Sequence, residues 1–400
     1  MSTSSQIDLR ETVGRAIRTL REEMHLSLDD IERVTDQIGV RVTRSHLSRV
    51  ENGQADLAVP RFLGLMHALG QPPMPVLETI DAAIRHRGAD PVDLDEQAAD
   101  AFHEHAWDRA ACAWRAAFAT SRGRLPHGAS LGAWVIAEAS LGRWRQAMRV
   151  ARLAVSRMAH ADERVLLRAA ATALGGGETG TAHAFARAAP DGGPWARLIE
   201  LAALVAWKRP IEAAARLARE ETSLPEGPAR TAAMVLAAEA FRESGRHGAA
   251  LRLAERATGR AEHEILRIEA RLAWARALVA VRRPGAGLRQ VHRALRAARA
   301  LRLADLVACA HELAEELHRL DRAPSRARDA GRARRALMRR HGADRCEPRL
   351  LPVHSLLRGD LVFGLAVPGE GDDEPDQCLE LVDPRVAAVD PEPDRGHASA

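Results

Sequence analysis

Apolar residues recur every three or four positions along most of the chain, the spacing that places side chains on one face of an α-helix. Near the N-terminus, Leu9, Val13, Ile17 and Leu20 form such a stripe. Further stripes begin after residue 27 and at residues 43, 60 and 76, separated by polar, Gly-containing or Pro-containing turns. The pattern therefore predicts five helices over residues 9–86.

The stretch from Thr43 to Gly53 is predicted to form one short, capped helix. The Thr43 hydroxyl suits an N-cap, and Gly53 suits the left-handed position that follows a helix. Leu47 and Val50 lie three residues apart and face inward in such a helix. The other face then carries Arg44, Ser45, His46, Ser48 and Arg49. Three of these polar residues lie in the first turn, the part of a recognition helix that enters the major groove of DNA.

Four motifs in this region match a known family. They are Ile17-Arg18-x-Leu20-Arg21-Glu22, Leu26-Ser27, Leu47-Ser48-Arg49-Val50-Glu51-Asn52-Gly53 and Ala68-Leu69-Gly70. Together they resemble the lambda-repressor-like (XRE, Cro-type) helix-turn-helix domain across residues 9–86. The resemblance implies a DNA-binding domain in which the third helix faces bases and phosphates and Asn52 faces the DNA backbone. The predicted DNA-binding residues are Arg41, Thr43, Arg44, Ser45, His46, Ser48, Arg49 and Asn52.

Three observations change what we expect of this domain. Leu28 stands where the family usually has a polar residue, often Gln, which removes one phosphate contact. The segment from Ile31 to Glu51 is about five residues longer than usual, and Gly39 to Val42 is predicted to form an extended turn. Residues 1–90 hold 11 Arg against 13 Asp and Glu, so phosphate affinity must come from local clustering of basic residues. The alternative is a domain of this fold that contacts protein.

A different pattern begins near residue 95, where a small residue recurs at intervals of 31 to 40 residues. The best copies are Ala106-Trp107-x-x-Ala110, Gly142-Arg143-Trp144-x-x-Ala147 and Gly245-Arg246-His247-x-x-Ala250. They resemble tetratricopeptide (TPR) repeats, which implies helix pairs that bury their apolar faces against one another. A coiled coil is the alternative, but Gly and Pro interrupt the pattern too often for it. The anchoring small residues are Ala110, Ala147, Ala182, Ala213, Ala250, Gly287 and Ala327.

The other segments connect or flank these two regions. We predict a flexible N-terminus over 1–8, a linker over 87–95, TPR-like repeats over 96–343, a short docking segment over 344–369 and a disordered acidic tail over 370–400. Within the docking segment, the apolar run from Leu356 to Val367 suits either a strand or a segment that packs on the repeats. The tail holds ten acidic residues against Arg385 and Arg395, which favours a solvated chain. Folding of the tail onto the basic repeats is the alternative.

Composition supports an all-α fold. Hydrophobic residues make up 46% of the chain but aromatic residues only 3%, and Tyr is absent, so the core must be built from Ala, Leu and Val. We therefore expect an N-terminal five-helix lambda-repressor-like DNA-binding domain, a TPR-like α-solenoid and a disordered acidic tail. The four cysteines show no disulfide or zinc spacing, and no apolar run is long enough to span a membrane. We expect a cytoplasmic protein.

Catalytic motifs are absent from the sequence, since it contains no Gly-rich phosphate loop, Gly-x-Ser-x-Gly elbow or His-Glu-x-x-His pair. We therefore predict neither an enzyme nor a cofactor. His311, Glu315 and His318 would share one helical face and offer metal ligands, but a solvated polar face is the favoured interpretation. Residues 251–345 hold 23 Arg against 11 acidic residues, which suits an acidic ligand, nucleic acid, the protein's own tail or a solvated surface.

Together these patterns lead us to expect a sequence-specific transcriptional regulator, with the helix over 43–52 in the major groove of double-stranded DNA. The repeats would form a homodimer, bind a peptide, protein or small acidic signal, or do both, and we expect no membrane partner. The architecture resembles peptide-pheromone-responsive regulators, whose repeat grooves bind peptides largely through Asn, whereas the only Asn here is Asn52. The alternative function is a TPR-type protein-interaction scaffold whose helix-turn-helix domain does not bind DNA.

Overall fold

The structure, a computed structural model, describes residues 9–24, 26–70, 73–86, 89–121, 128–157, 163–189, 193–343 and 352–358. Within these ranges the chain forms helices and turns and no β-strand, which confirms the predicted all-α fold. The N-terminus over 1–8 and the acidic tail over 370–400 lie outside the described residues.

The helices are α1 (Leu9–Glu23), α2 (Leu28–Gln37), α3 (Arg44–Glu51), α4 (Val59–Ala68), α5 (Met74–Arg85), α6 (Pro91–His103), α7 (Trp107–Thr120), α8 (Gly128–Ser140), α9 (Trp144–Arg157), α10 (Glu163–Gly175), α11 (Thr179–Ala188), α12 (Pro194–Ala206), α13 (Pro210–Ser223), α14 (Pro228–Glu243), α15 (His247–Arg260), α16 (Glu264–Ala280), α17 (Pro284–Ala300), α18 (Ala304–Leu320), α19 (Pro324–His341) and α20 (Val353–Arg358).

The chain divides into two compact units, residues 1–130 and 131–400. The first unit contains α1 to α7, the second contains α9 to α20, and α8 spans the division, with most of its residues in the second unit. The division therefore follows the first helix pair of the repeats and does not coincide with the segment that we predicted as a linker.

Helices α1 to α5 match the five predicted helices and share one small apolar core. Ile17 of α1, Ile31 of α2 and Leu47 of α3 are completely buried in it. A capping box begins α2, because the Ser27 hydroxyl accepts from the backbone N–H of Asp30 and the Asp30 carboxylate accepts from the backbone N–H of Ser27. Such a cap satisfies two helix-end groups at once and fixes where α2 begins.

Helix α7, in the first pair of the repeats, packs against α5. Its partner α6 begins at Pro91, with the Asp90 carboxylate as N-cap, so residues 91–95 of the predicted linker form a helical turn instead. An N-cap Asp followed by Pro at the first helical position is a strong helix start. Between α5 and α7, the nearly buried Arg115 donates to Glu78 at 2.6 Å. The N-terminal helices and the first helix pair therefore form one packed unit.

The small residues that anchor the predicted repeats occupy one equivalent position. Each is the fourth residue of its helix, in α7, α9, α11, α13, α15, α17 and α19, and each is buried. Its backbone N–H donates to the carbonyl of the residue before the helix, as Ala250 does to Arg246 at 3.1 Å. A side chain at Gly287 would place its Cβ 2.6 Å from Leu317. The recurring small residues therefore mark helix crossings, and the predicted helix pairs are confirmed.

A left-handed residue lies two positions before each of these seven helices. These residues are Gly142, Gly177, Gly245, His105, Lys208, Arg282 and Arg322. Their φ values run from 53° to 81°. The next residue donates its backbone N–H to the carbonyl five positions earlier, which closes the preceding helix. One tight turn thus joins the two helices of every pair.

In the second unit the helices stack in a solenoid-like arrangement. From α9 to α19 every two consecutive helices pack together, and the first helices of successive pairs, α10, α12, α14, α16 and α18, also pack on one another. The Trp144 indole N–H donates to Asp305 at 3.3 Å, and Arg143 donates to the backbone carbonyl of His341. The start of α9 therefore contacts α18 and the end of α19, so helices from the first and last pairs of the second unit meet.

A short helix, α20, lies inside the second unit, where it contacts α10, α12 and α16. All six of its residues are buried. The strand that we considered from Leu356 onward is wrong for the described part of this run, because Leu356 and Leu357 lie in a helix that begins at Val353. Residues 359–367 of the run lie outside the described residues.

Candidate nucleic-acid interface

Helix α3 forms where the sequence predicts it, with both predicted caps. The Thr43 hydroxyl accepts from the backbone N–H of His46 at 3.3 Å. Gly53 has a φ of +71°, the left-handed conformation that ends many helices. Leu47 and Val50 are at most 1% exposed, so the apolar face of α3 lies against the core. The opposite, polar face of α3 is the candidate interface.

The C-terminal end of α3 is fastened to α1. The Arg21 guanidinium donates to both carboxylate oxygens of Glu51, at 2.7 and 2.9 Å, and to the Leu26 carbonyl at 3.0 Å. A Cβ at Gly14 of α1 would lie 2.1 Å from the Val50 carbonyl oxygen, so the two helices approach too closely for a side chain there. Arg21 and Glu51 belong to two of the motifs that resemble the helix-turn-helix domain, and the structure shows that they bind one another.

The extended turn before α3 is held by Thr35. The Thr35 hydroxyl donates to the Ile31 carbonyl at 2.8 Å and accepts from the Val42 backbone N–H at 3.1 Å. Val42 is completely buried, and Gly39 adopts a φ of +76°. These bonds give the longer turn a defined path, and that path sets the position of the first residue of α3.

The side chains on the polar face of α3 differ in how far they are exposed to solvent. Arg44, Ser45 and Arg49 are exposed, and Ser48 is half-buried. The Asn52 side chain donates to the Ser48 carbonyl at 2.9 Å and so caps the end of the helix. Arg44, Ser45 and Arg49 are therefore the side chains of this face with the most access to a DNA duplex.

Two of the predicted arginines are paired with acidic residues of α2. Arg41 donates to Glu32 at 3.0 Å, and the Arg44 guanidinium lies 3.1 Å from Asp29. Glu32 also accepts from the backbone N–H of Arg44 at 2.8 Å. This backbone bond, followed by the bond from Arg41, lowers the pKa of Glu32. Because all of these groups lie near the surface, a phosphate must compete with carboxylates for Arg41 and Arg44.

A second group of basic residues lies beside the same face without such competition. Arg49 of α3 and Arg61 of α4 are exposed, and neither has an ion-pair partner in the part of the chain that the structure describes. His46 lies near both arginines. Its pKa is lowered, first by burial and then by the positive charges of Arg61 and Arg49. The Nε2 atom of His46 is covered and has no hydrogen-bond partner. We did not predict Arg61, although it directly follows Pro60 at the start of α4.

The weak metal candidate on α18 does not form a converging set of ligands. His311 contacts Arg299 at 3.3 Å, Glu315 pairs with Arg319, and the Nδ1 atom of His318 is buried without a hydrogen-bond partner. Among the described residues, no group of three His, Cys, Asp or Glu side chains is arranged to hold a metal ion. The described helices also include none that is long and apolar enough to cross a bilayer.

Comparison with known proteins gives only distant structural likeness. No family model matches the chain. No curated protein sequence matches it either. The Bacillus thuringiensis protein PlcR, solved in complex with the peptide PapR7 and DNA, is 13% identical, with a TM-score of 0.37 over 83% of this chain and 96% of PlcR.

Two structures of the regulator ComR show a similar level of likeness. The apo form of the competence regulator ComR from Streptococcus vestibularis is 10% identical, with a TM-score of 0.29 over 88% of this chain and 98% of ComR. The apo form of ComR from S. thermophilus is 11% identical, with a TM-score of 0.22 over 89% of this chain and 100% of ComR. We therefore infer function from the residues of this chain.

Proposed function

We propose that this protein is a sequence-specific DNA-binding transcriptional regulator that places α3 in the major groove of double-stranded DNA. The observation that carries the proposal is the pair of exposed guanidiniums, Arg49 and Arg61, beside the polar face of α3. Neither has an ion-pair partner among the described residues, so both are available to phosphates or base edges. Because the N-terminal helices carry excess acid overall, such local clustering is what phosphate binding requires.

The predicted contact residues take different parts in this proposal. Arg44, Ser45 and Arg49 are exposed and would contact bases or phosphates. Arg41 would reach a phosphate after Glu32 releases it. Thr43, Ser48 and Asn52 would act mainly by fixing the two ends of α3. With Nε2 covered, His46 would act through its charge rather than through a hydrogen bond from that atom.

We further propose that two copies of the chain bind together. A single domain with two free arginines gives limited affinity, and two such domains would occupy half-sites about 34 Å apart on one side of the duplex. The repeats would supply the contact between copies and would bind a peptide, a protein or a small acidic signal. Analytical ultracentrifugation of the full chain, with and without a two-half-site duplex, tests the pairing.

Selection from random-sequence duplexes tests the function. The full-length chain is incubated with the pool, the bound DNA is sequenced over several rounds, and the affinity for the enriched site is measured between 50 and 200 mM salt. We expect one enriched motif and an affinity that falls steeply with salt, by roughly 0.9 in log–log slope for each phosphate contacted. Absence of both enrichment and salt-dependent binding would contradict the proposal and favour the protein-interaction scaffold.

A further inference from the structure

Residues 353–358 are enclosed by the repeats of the second unit. Val353, Leu356 and Leu357 are at most 3% exposed, and His354 and Arg358 are at most 4% exposed. They form α20, which contacts α10, α12 and α16, the first helices of their pairs. Helix α20 itself belongs to no pair. The interior of the repeats is therefore filled by a segment that lies outside their stacking pattern.

Glu269 of α16 binds the first turn of α20. Its carboxylate accepts from the backbone N–H of His354 at 2.8 Å, from the backbone N–H of Ser355 at 3.1 Å and from the Ser355 hydroxyl. Complete burial raises the pKa of Glu269, while the charge of His354 and these hydrogen bonds oppose the rise. Among the described residues, every hydrogen-bond donor to the Glu269 carboxylate therefore belongs to α20.

The polar side chains of α20 are bound by three further helices. Asp305 of α18 lies 2.8 Å from Nε2 of His354, and the Trp144 ring of α9 packs on the same imidazole with centroids 5.3 Å apart. Arg358 donates to the Ser140 hydroxyl of α8 and contacts Nδ1 of His354 at 3.0 Å. Burial lowers the pKa of Arg358 to about 10. Side chains from α8, α9, α16 and α18 therefore converge on six residues.

This pattern differs from the packing of the helix pairs. The cores of the pairs consist mainly of Ala, Leu and Val, whereas three of the six side chains of α20 are polar or charged and each meets a polar partner. Matched polar partners give a binding site specificity, because a segment that lacks them leaves buried groups unpaired. Water can hydrate the carboxylates and hydroxyl that a departing segment leaves behind, which limits the free energy cost of an open state.

We propose that the interior of the repeats is a binding site for a short helical segment, and that residues 353–358 are its intramolecular occupant. The recognised pattern is Val-His-Ser-Leu-Leu-Arg, in which the His and the Arg lie four residues apart on one helical face. A tethered segment acts at an effective concentration on the order of 1 mM, so it excludes a free copy of the same pattern until α20 leaves. Because only the second unit takes part, the proposal does not depend on DNA binding.

A labelled peptide tests the proposal on the full-length chain. The probe is a fluorescein-labelled peptide with the sequence of residues 350–360, and its binding is followed by fluorescence anisotropy. The acceptor is the full chain with His354→Ala and Arg358→Ala, which weaken the tethered segment but leave Glu269, Asp305 and Ser140 in place. We expect the peptide to bind the acceptor at least about tenfold more tightly than the wild type, because the competing segment is weakened.

Two substitutions in the acceptor separate specific from general effects. Glu269→Gln should abolish peptide binding, because an amide cannot replace a carboxylate that accepts from two backbone N–H groups and a hydroxyl. Glu264→Gln, at a position of α16 where the side chain is 40% exposed, should leave it unchanged. Equal and negligible binding to the wild type and to a folded acceptor, as judged by circular dichroism, would overturn the proposal.

Hydrogen exchange on the unaltered chain decides the question if the acceptor does not fold. The backbone amides of Leu356 and Leu357 should exchange faster than those at the centre of α16, because α20 can leave while the repeats stay folded. Exchange of α20 and α16 at one common rate would show that the segment leaves only on unfolding of the repeats, and it would overturn the proposal.

Discussion

Arg21 of α1 and Glu51 of α3 form a two-point ion pair, with nitrogen–oxygen distances of 2.7 and 2.9 Å. The side chains are 13% and 5% exposed, and the same guanidinium also binds the Leu26 carbonyl. One side chain thus joins α1, the turn before α2 and the end of α3. The orientation of the candidate DNA-binding face is therefore set by a contact that lies outside that face.

Loss of this pair should loosen α3. We expect Glu51→Gln to lower the free energy of unfolding of the N-terminal helices by about 2–3 kcal/mol, because the nearly buried Arg21 then keeps only the exposed Glu22 carboxylate, at 3.5 Å, as a charged partner. Hydrogen exchange of the α3 amides measures the effect. Asp56→Asn is the control, since it breaks the exposed pair with Arg10 and should cost at most about 1 kcal/mol. Equal protection in the two variants would contradict the expected role of Glu51.

The close approach of α1 and α3 predicts a strong effect of one added methyl group. Gly14→Ala should destabilise the N-terminal helices by about 1–3 kcal/mol, because the new Cβ would collide with the Val50 carbonyl and the helices must separate. Gly285→Ala in α17 is the matched control, since no atom lies within 4 Å of its Cβ position and Ala favours a helix. Thermal unfolding followed by circular dichroism compares them, and a Gly14→Ala chain as stable as wild type would contradict the close approach.

The acidic residues of α2 should weaken DNA binding. Replacement of Asp29 by Asn and Glu32 by Gln removes the carboxylates nearest to Arg44 and Arg41, and leaves Arg41 only the more distant Asp36, at 3.9 Å. We expect tighter binding and a log–log salt slope that is steeper by roughly 0.9 for each arginine that gains a phosphate. Asp81→Asn on α5, which breaks the exposed pair with Arg85, is the control. An unchanged slope would show that Arg41 and Arg44 do not reach phosphates.

DNA binding should also depend on pH through His46. Burial and the charges of Arg61 and Arg49 lower its pKa below the ordinary 6.5 in the free protein. Phosphates that neutralise the two arginines would raise this pKa, so the complex would hold more protons than the free protein and bind more tightly as pH falls from about 7.5 to 6. Anisotropy titrations across this range measure the slope. His46→Gln should flatten it, and an equal slope in both proteins would assign the pH dependence elsewhere.

The tight turn between the helices of each pair predicts opposite effects at two positions. Arg322→Gly should stabilise the repeats by about 0.5–1 kcal/mol, because Arg322 holds a φ of +56° that Gly adopts without steric cost. Gly245→Ala should destabilise them by a similar amount, since Gly245 has a φ of +77° and nothing near its Cβ position to add a contact. Melting temperatures that shift in the same direction for both variants would contradict this reason.

Local features of the sequence were sufficient to predict many parts of this fold. A helix crossing admits only a small residue, so the recurrence of Ala110, Ala147 and Ala250 predicted the helix pairs. Thr43 and Gly53 predicted the ends of α3 because capping depends on a few neighbouring atoms. In contrast, the left-handed turn residues Lys208 and Arg282 gave no local signal, because the surrounding helices impose that conformation on them.

Contacts between distant residues account for what the sequence did not reveal. Arg44 and Asp29 lie 15 positions apart, and their pairing follows from the path of the long turn. The segment at His354 binds Glu269 and Asp305, which are 85 and 49 positions away. No local pattern in the sequence indicates which interior carboxylate a C-terminal residue will meet.

The most direct test of the DNA-binding proposal is the affinity of single-arginine variants for the selected duplex. We expect Arg49→Ala and Arg61→Ala each to weaken binding about tenfold or more and to reduce the salt slope by about 1 where the contact is to a phosphate. Arg85→Ala, on the exposed surface of α5, should bind like the wild type. Wild-type affinity and slope in all three variants would contradict the assignment of the DNA interface to α3 and its neighbouring arginine on α4.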